Sequence, residues 1–157
     1  MKLLHCIIAQ LLIFISLSQA QQPAKAEINW ITFEQLDEQL NSNPKPVLLF
    51  FHTDWCVYCK KMLKETFQAS SVVQKLNKDY YCVQFDAETI EDVYFDGVTY
   101  TNTNKSKTTG NYHNLAKLIL GDKKQQVFPT TLLLNSDFQV KNRSNKYLSI
   151  KDLLNIL

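Results

Sequence analysis

The chain has 157 residues, of which 45% are hydrophobic, four cysteines and a formal net charge of +2. That length fits one domain able to bury roughly two-thirds of its unfolded surface. The near balance of charge gives no electrostatic reason to expect nucleic acid as a partner. The basic residues Lys141, Arg143 and Lys146 and the pair Lys123-Lys124 read as solvated turns.

Met1 to Ala20 reads as a secretory signal. Lys2 supplies the charged start, Ile7 to Leu17 the apolar core, and Ser18-Gln19-Ala20 the small residues of a cleavage site before Gln21. The alternative, an uncleaved anchor, is disfavoured because the apolar run is short against the roughly 20 residues a spanning helix needs. Cleavage would remove Cys6 and Lys2, taking the charge from +2 to +1. Residues 21–27 read as a flexible lead, and 28–157 as the folded domain.

Within the domain, Ile28 to Ile31 is a short strand. Thr32 opens a Thr-x-x-Gln capping box, after which Phe33, Leu36 and Leu40 recur at helical spacing until Asn43-Pro44 ends the helix. The apolar run 47–53 reads as a buried strand. It leads straight into Trp55-Cys56-Val57-Tyr58-Cys59-Lys60 at the start of the next helix.

Two cysteines three apart in a first helical turn lie on one face, with Cβ atoms roughly 5–6 Å apart, a small adjustment from disulfide range. The helix N-terminus places free N–H groups and partial positive charge beside Cys56, favouring its thiolate. Cys56 is therefore the expected nucleophile and Cys59 the resolving thiol. A bridge enclosing two residues restrains the unfolded chain little, so the pair is a poor staple and a good redox couple. Cys82, in the apolar stretch 80–86, reads as a buried strand residue without chemistry.

Further on, Met62, Leu63 and Phe67 form an apolar stripe, and a helix from Ser70-Ser71 turns Val72, Val73 and Leu76 inward before strand 80–86, completing β-α-β. Val93 to Tyr100 reads as a hairpin turning at Asp96-Gly97. Thr101 to Gly110 reads as a mobile loop, and Tyr112 to Leu120 as a helix closed by Gly121. No chemistry attaches to the segment 87–111, which reads equally as a surface excursion or an aid to partner choice. Strands at Thr131 to Leu134 and Phe138 to Lys141 follow, joined through Ser136-Asp137. Ser149 then caps a helix with Ile150, Leu153, Leu154 and Leu157 inward.

Trp-Cys-x-x-Cys-Lys after an apolar strand resembles the active site of the thioredoxin superfamily. The longer string Asp54 to Lys60, continuing to Glu65-Thr66-Phe67, is similar to the C-terminal periplasmic domain of the transmembrane thiol:disulfide interchange protein. Phe128-Pro129-Thr130 matches the place where that family carries a cis-proline facing its cysteines. The resemblance implies an α/β thioredoxin fold, a central mixed sheet flanked by helices in the order β-α-β then β-β-α, with a hairpin and loop insertion between the halves. It implies an exported, periplasmic disulfide oxidoreductase, with Cys56 and Cys59 as the redox-active pair and Trp55, Phe128 and Pro129 supporting substrate docking. Protein disulfides or thiols are the implied substrates, with a membrane thiol carrier as electron donor or acceptor. A monomer without cofactor or metal is expected.

Three positions depart from the family pattern. Phe50 stands where the family has a buried proton-shuttling aspartate, Leu63 where the interchange-protein domain has an acidic residue, and Asn145-Lys146 where a glycine precedes the last helix. Proton transfer to Cys59 then needs water or another group, with His52 and Asp54 as candidates. The surrounding string favours a reductase; a thiol oxidase or isomerase of the same fold is the alternative. An extracytoplasmic copper chaperone would use the same thiolates with a third soft ligand, His52 or Met62. A structural zinc site lacks a second Cys/His pair. A non-catalytic binding module would not need the cysteine pair.

Overall fold

The computed structural model describes residues 26–122 and 124–157. The expected signal, its cleavage point, most of the lead and Lys123 lie outside the described residues. Among the described residues no helix is long and apolar enough to cross a membrane.

The chain begins with β1 (Trp30–Ile31) and α1 (Phe33–Ser42). The capping box forms: Thr32 Oγ1 accepts the Gln35 N–H and Gln35 Oε1 accepts the Thr32 N–H. Next come β2 (Val47–His52), α2 (Val57–Lys64), a 3₁₀ turn (Thr66–Gln68), α3 (Ser70–Asp79) and β3 (Tyr81–Asp86). Phe67 thus belongs to a separate turn and not to the cysteine helix, and Leu63 is only partly buried. The later elements are β4 (Val93–Phe95), β5 (Val98–Tyr100), α4 (Asn114–Leu120), β6 (Thr130–Leu134), β7 (Val140–Ser144) and α5 (Ile150–Ile156).

The main sheet has the order β1-β3-β2-β6-β7. β3 is parallel to β1 and β2, whereas β6 is antiparallel to β2 and β7. This is the mixed sheet with flanking helices of a thioredoxin fold. Central β2 is apolar on both faces because both are covered. Its alternate residues Leu49 and Phe51 join a core with Phe33, Leu36, Phe85 and Leu115, while Leu48 and Phe50 join another with Met62, Phe67, Val72 and Leu76.

Several boundaries shift from expectation, each for a tertiary reason. The last strand begins at Val140 and not at Phe138. Phe138 takes a positive φ of 58° in the turn, and its ring packs 5.4 Å from that of Phe95. In α5 only Leu153 is fully buried; Ile150 and Leu154 face outward, because the short terminal helix packs against α3 and the 3₁₀ turn along one side. Arg143 is not merely solvated, since its guanidinium donates to the Leu120 carbonyl at the end of α4.

The segment 101–111 is laced down instead of open. Asn102 is buried and donates to the carbonyls of Thr89 and Asn111, while Asn111 donates to those of Asn104 and Ser106. Hairpin β4–β5 turns at Asp96 and Gly97, with φ of 51° and 74°. It is held by the Tyr94 N–H on Glu34 Oε1 and by Phe95 against Phe33.

The predicted helix at 112 starts two residues later because fully buried His113 is its N-cap. The ring Nδ1 accepts the Leu115 N–H at 3.2 Å, and Nε2 lies 3.1 Å from the Glu91 carbonyl, to which it donates. Both contacts are met together only by the neutral ring. Burial holds His113 and His52 below the ordinary value of 6.5. The unfolded chain then binds these protons more readily, so their stability contribution is complete above about pH 6.5 and is lost as pH falls through the folded values. The thermal midpoint should drop between about pH 7 and about pH 5, above the carboxylate range. His113→Asn keeps a side-chain acceptor for the cap and should drop less; circular dichroism melts at both pH values check this.

Candidate active site

β2 ends at His52, and a tight turn carries the chain into α2, with the Cys56 N–H donating to the Thr53 carbonyl at 3.2 Å. Cys56 is the N-cap of α2, and its Sγ accepts the Cys59 N–H at 3.1 Å. The first-turn spacing read from the sequence is realised: Cys56 and Cys59 form a disulfide with Cα atoms 5.2 Å apart. Both residues are buried, at 4% and 1% exposure, Cys56 being the outer of the two.

Around the start of α2 lies a collar of exposed apolar side chains. Trp55, Val57 and Tyr58 are 47%, 74% and 60% exposed. Trp55 meets Phe128 edge-on at 6.1 Å, Phe128 packs 5.7 Å from Tyr112, and Tyr58 lies 6.2 Å from Tyr147. The Phe128–Pro129 peptide bond is cis. The structure therefore brings Trp55, Phe128 and the two cysteines together.

The insertion, without chemistry in the sequence reading, is fastened to this site. Glu88, 3% exposed, accepts the Trp55 indole N–H on its carboxylate oxygens at 3.1 and 3.0 Å and the Gly110 N–H at 2.5 Å. Lys107 sits between Asp54 at 2.6 Å and Asp86 at 2.8 Å. Its ammonium holds the Asp54 carboxyl below the usual range, and the two carboxylates push the lysine up in return. Glu88, Lys107 and Gly110 escaped sequence reasoning. The available signal was Asp86-Ala87-Glu88, which leaves the sheet beside Trp55 if β2 and β3 are parallel.

Neither candidate proton acceptor bonds to a cysteine among the described residues. Exposed Asp54 is engaged by Lys107. His52 stacks on Phe50 with centroids 5.8 Å apart, and its Nε2 lies 3.1 Å from Gln84 Nε2. Phe50 is fully buried, packed by Trp30 at 6.4 Å and Phe67 at 4.9 Å. Burial pushes the Cys82 thiol up to about 12, which keeps it protonated and inert. Among the described residues no group of three or more His, Cys, Asp or Glu side chains is arranged to hold a metal ion.

Comparison with known proteins agrees with this arrangement. A family model described as thioredoxin-like matches residues 29–136. The thiol:disulfide interchange protein DsbD of Campylobacter jejuni (strain RM1221) is 35% identical over 54 residues, covering 34% of this chain and 9% of that protein. The disulfide bond reductase DsbH of Chlamydia pneumoniae is 29% identical over 72 residues, covering 45% of this chain and 43% of that protein. The chain thus spans less than half the length of these curated relatives. The crystal structure of the oxidised DsbD C-terminal domain of Neisseria meningitidis superposes with a TM-score of 0.52 at 18% identity, covering 78% of this chain and 87% of that one.

The two anchors of the insertion should differ in weight. Glu88→Ala leaves the Trp55 and Gly110 donors without their acceptor and should cost about 1–3 kcal/mol. Lys107→Met removes the ion pairs to Asp54 and Asp86, both made by a half-exposed ammonium, and should cost at most about 1 kcal/mol. Urea unfolding of the two variants beside the parent measures both.

Proposed function

The chain belongs to the thioredoxin-like family, and from that premise we propose that it is an exported thiol:disulfide oxidoreductase that reduces protein disulfides through Cys56 and Cys59. The observation that carries this reading is the Cys56–Cys59 pair at the first turn of α2, Cys56 at the N-cap with an N–H aimed at its sulfur, inside an exposed apolar collar.

Starting from the dithiol, the Cys56 thiolate attacks a substrate disulfide and forms a mixed disulfide, releasing one substrate thiolate. Cys59 then attacks Cys56, releases the second substrate sulfur and leaves the Cys56–Cys59 disulfide. Two electrons pass to the substrate. Exposed Trp55 and half-buried Phe128, beside the buried Pro129, form the strip against which an extended substrate segment lies. The N–H from Cys59 to Cys56 Sγ favours charge on the outer sulfur, consistent with Cys56 as nucleophile and leaving group.

A reductase fits the resemblance of the Asp54–Lys60 string to the interchange-protein domain and the similarity to the Chlamydia pneumoniae relative, a disulfide bond reductase. Residues 1–20 as signal, 21–27 as lead and 28–157 as the domain would deliver it to the periplasm. There a membrane thiol carrier must regenerate the dithiol, because no soluble cofactor is called for by this chemistry.

Two measurements test the reading. Cys59→Ser should accumulate mixed disulfides through Cys56 that are released by added thiol, whereas Cys56→Ser should accumulate none; capture of no thiol-releasable partner by the first variant would overturn the mechanism. The reduction potential of the couple, by alkylation after equilibration in thiol buffers, should lie at or below roughly −230 mV. A value well above it would make the protein an oxidant or isomerase.

A further inference from the structure

Four positions line up across the sheet on the face covered by α2. Gln84 lies opposite Phe50, Phe50 opposite Thr131, and Thr131 opposite Ser144. Directly opposed residues of an antiparallel ladder project from the same face with Cβ atoms about 4.5–5.5 Å apart. Phe50 packs in the cluster that holds Cys56, Cys59 and Met62, as does Leu133, two residues beyond Thr131 and so on its face. Thr131 and Ser144 therefore stand on the side of the sheet that faces the cysteine helix.

Their hydroxyls are out of place in ordinary core. Thr131 is 1% exposed and Ser144 9%, yet neither Oγ has a hydrogen-bond partner among the described residues. A buried hydroxyl without a partner is destabilising, and valine would fill the threonine site without that cost. Thr131 precedes three leucines, so an apolar residue would suit the strand. Ser144 also lines a cavity of about 340 Å³ with Asn142, Lys146, Leu148 and Asp152, between the edge strand β7 and α5. The row thus runs from the cysteine cluster to a recess at the sheet edge.

We propose that Thr131 and Ser144 form the proton route of the resolving cysteine, joined by water from the recess, in the place where Phe50 has removed any carboxylate. The proposal rests on the redox reading of Cys56 and Cys59. As Cys59 resolves a mixed disulfide, its S–H proton departs, its sulfur bonds to Cys56 Sγ, and the bond from Cys56 to the substrate sulfur breaks. The electron pair of that bond leaves with the substrate as a thiolate, which takes a proton from solvent. Each hydroxyl accepts one proton and passes one on, so neither is consumed. The ionisable side chains around the row are His52 on the same face of β2, Cys82 on β3, Tyr80 and Tyr147 beside the cluster, and Arg143, Lys146 and Asp152 at the recess.

The test uses reduced protein and an aromatic disulfide reagent whose released thiolate is coloured. The first release reports attack by Cys56 and the second reports attack by Cys59 on the adduct. In Thr131→Val and Ser144→Ala the second phase should slow about tenfold or more near neutral pH, a modest part of the roughly 10²–10⁴ that positioned proton transfer contributes. The first phase should be unchanged. The deficit should shrink as rising pH ionises Cys59 unaided, and Thr131→Ser should restore the parental rate. Thr131→Val should melt at or above the parental temperature, so slowing cannot be ascribed to a damaged core; if that variant fails to fold, Ser144→Ala decides. Unchanged second-phase rates and pH profiles in folded variants would overturn the proton route alone. A parent protein with no second phase would overturn the redox reading beneath it.

Discussion

The parallel pairing of β2 with β3 is the constraint on which the site depends. It sets His52 beside Asp86, so both strands leave the sheet at the same edge and in the same direction. The continuation of β2 supplies Asp54, Trp55 and the cysteines; the last residue of β3 supplies Asp86 and its continuation Glu88. Three acidic groups therefore flank the turn that opens α2, and the insertion meets all of them: Lys107 pairs with Asp54 and Asp86, and Gly110 shares Glu88 with the Trp55 indole. A register in which β3 ran the other way would send Glu88 to the far end of the molecule and leave Trp55 without its acceptor.

The sheet's two faces serve different ends. On one, Phe33, Phe51, Phe85 and Phe95 form a dry aromatic core that seats α1, α4 and the hairpin. On the other, the cysteines share a buried cluster with Phe50, whose ring is enclosed by Trp30, Phe67 and His52. A fully buried phenylalanine contributes roughly 1.5–3 kcal/mol, whereas an isolated buried carboxylate would be strongly unfavourable in its charged form. The floor of the site is thus built for packing, and polarity is displaced sideways along the sheet to the threonine and serine hydroxyls of β6 and β7.

Much of the fold was legible in the residues. The unbroken apolar run of β2, the capping box at Thr32, the cap at Ser149 and the Asp96-Gly97 turn are local signals whose physics acts over a few residues. Boundaries failed where a distant partner intervened. Phe138 left its strand to pack on Phe95, Tyr112 left its helix because buried His113 caps it, and α5 turns Ile150 and Leu154 outward because it packs on α3 and the 3₁₀ turn along one side. The loop at 101–111 looked open since its polar side chains carry no periodicity, and its bonds to Thr89, Glu88 and Asp86 span residues that only folding brings near.

By itself, then, the sequence determined the chemistry on offer: two thiols three residues apart at a helix start, flanked by a tryptophan, after a strand buried on both faces. These follow from spacing, which short-range backbone geometry converts into contact. Tertiary structure alone decided what surrounds the thiols. It gave Trp55 its carboxylate, brought an insertion to the rim, committed Asp54 to Lys107, turned His52 onto Phe50, and aligned Thr131 with Ser144 under α2. Each of these depends on strand order and register, which set neighbours dozens of residues apart in the chain.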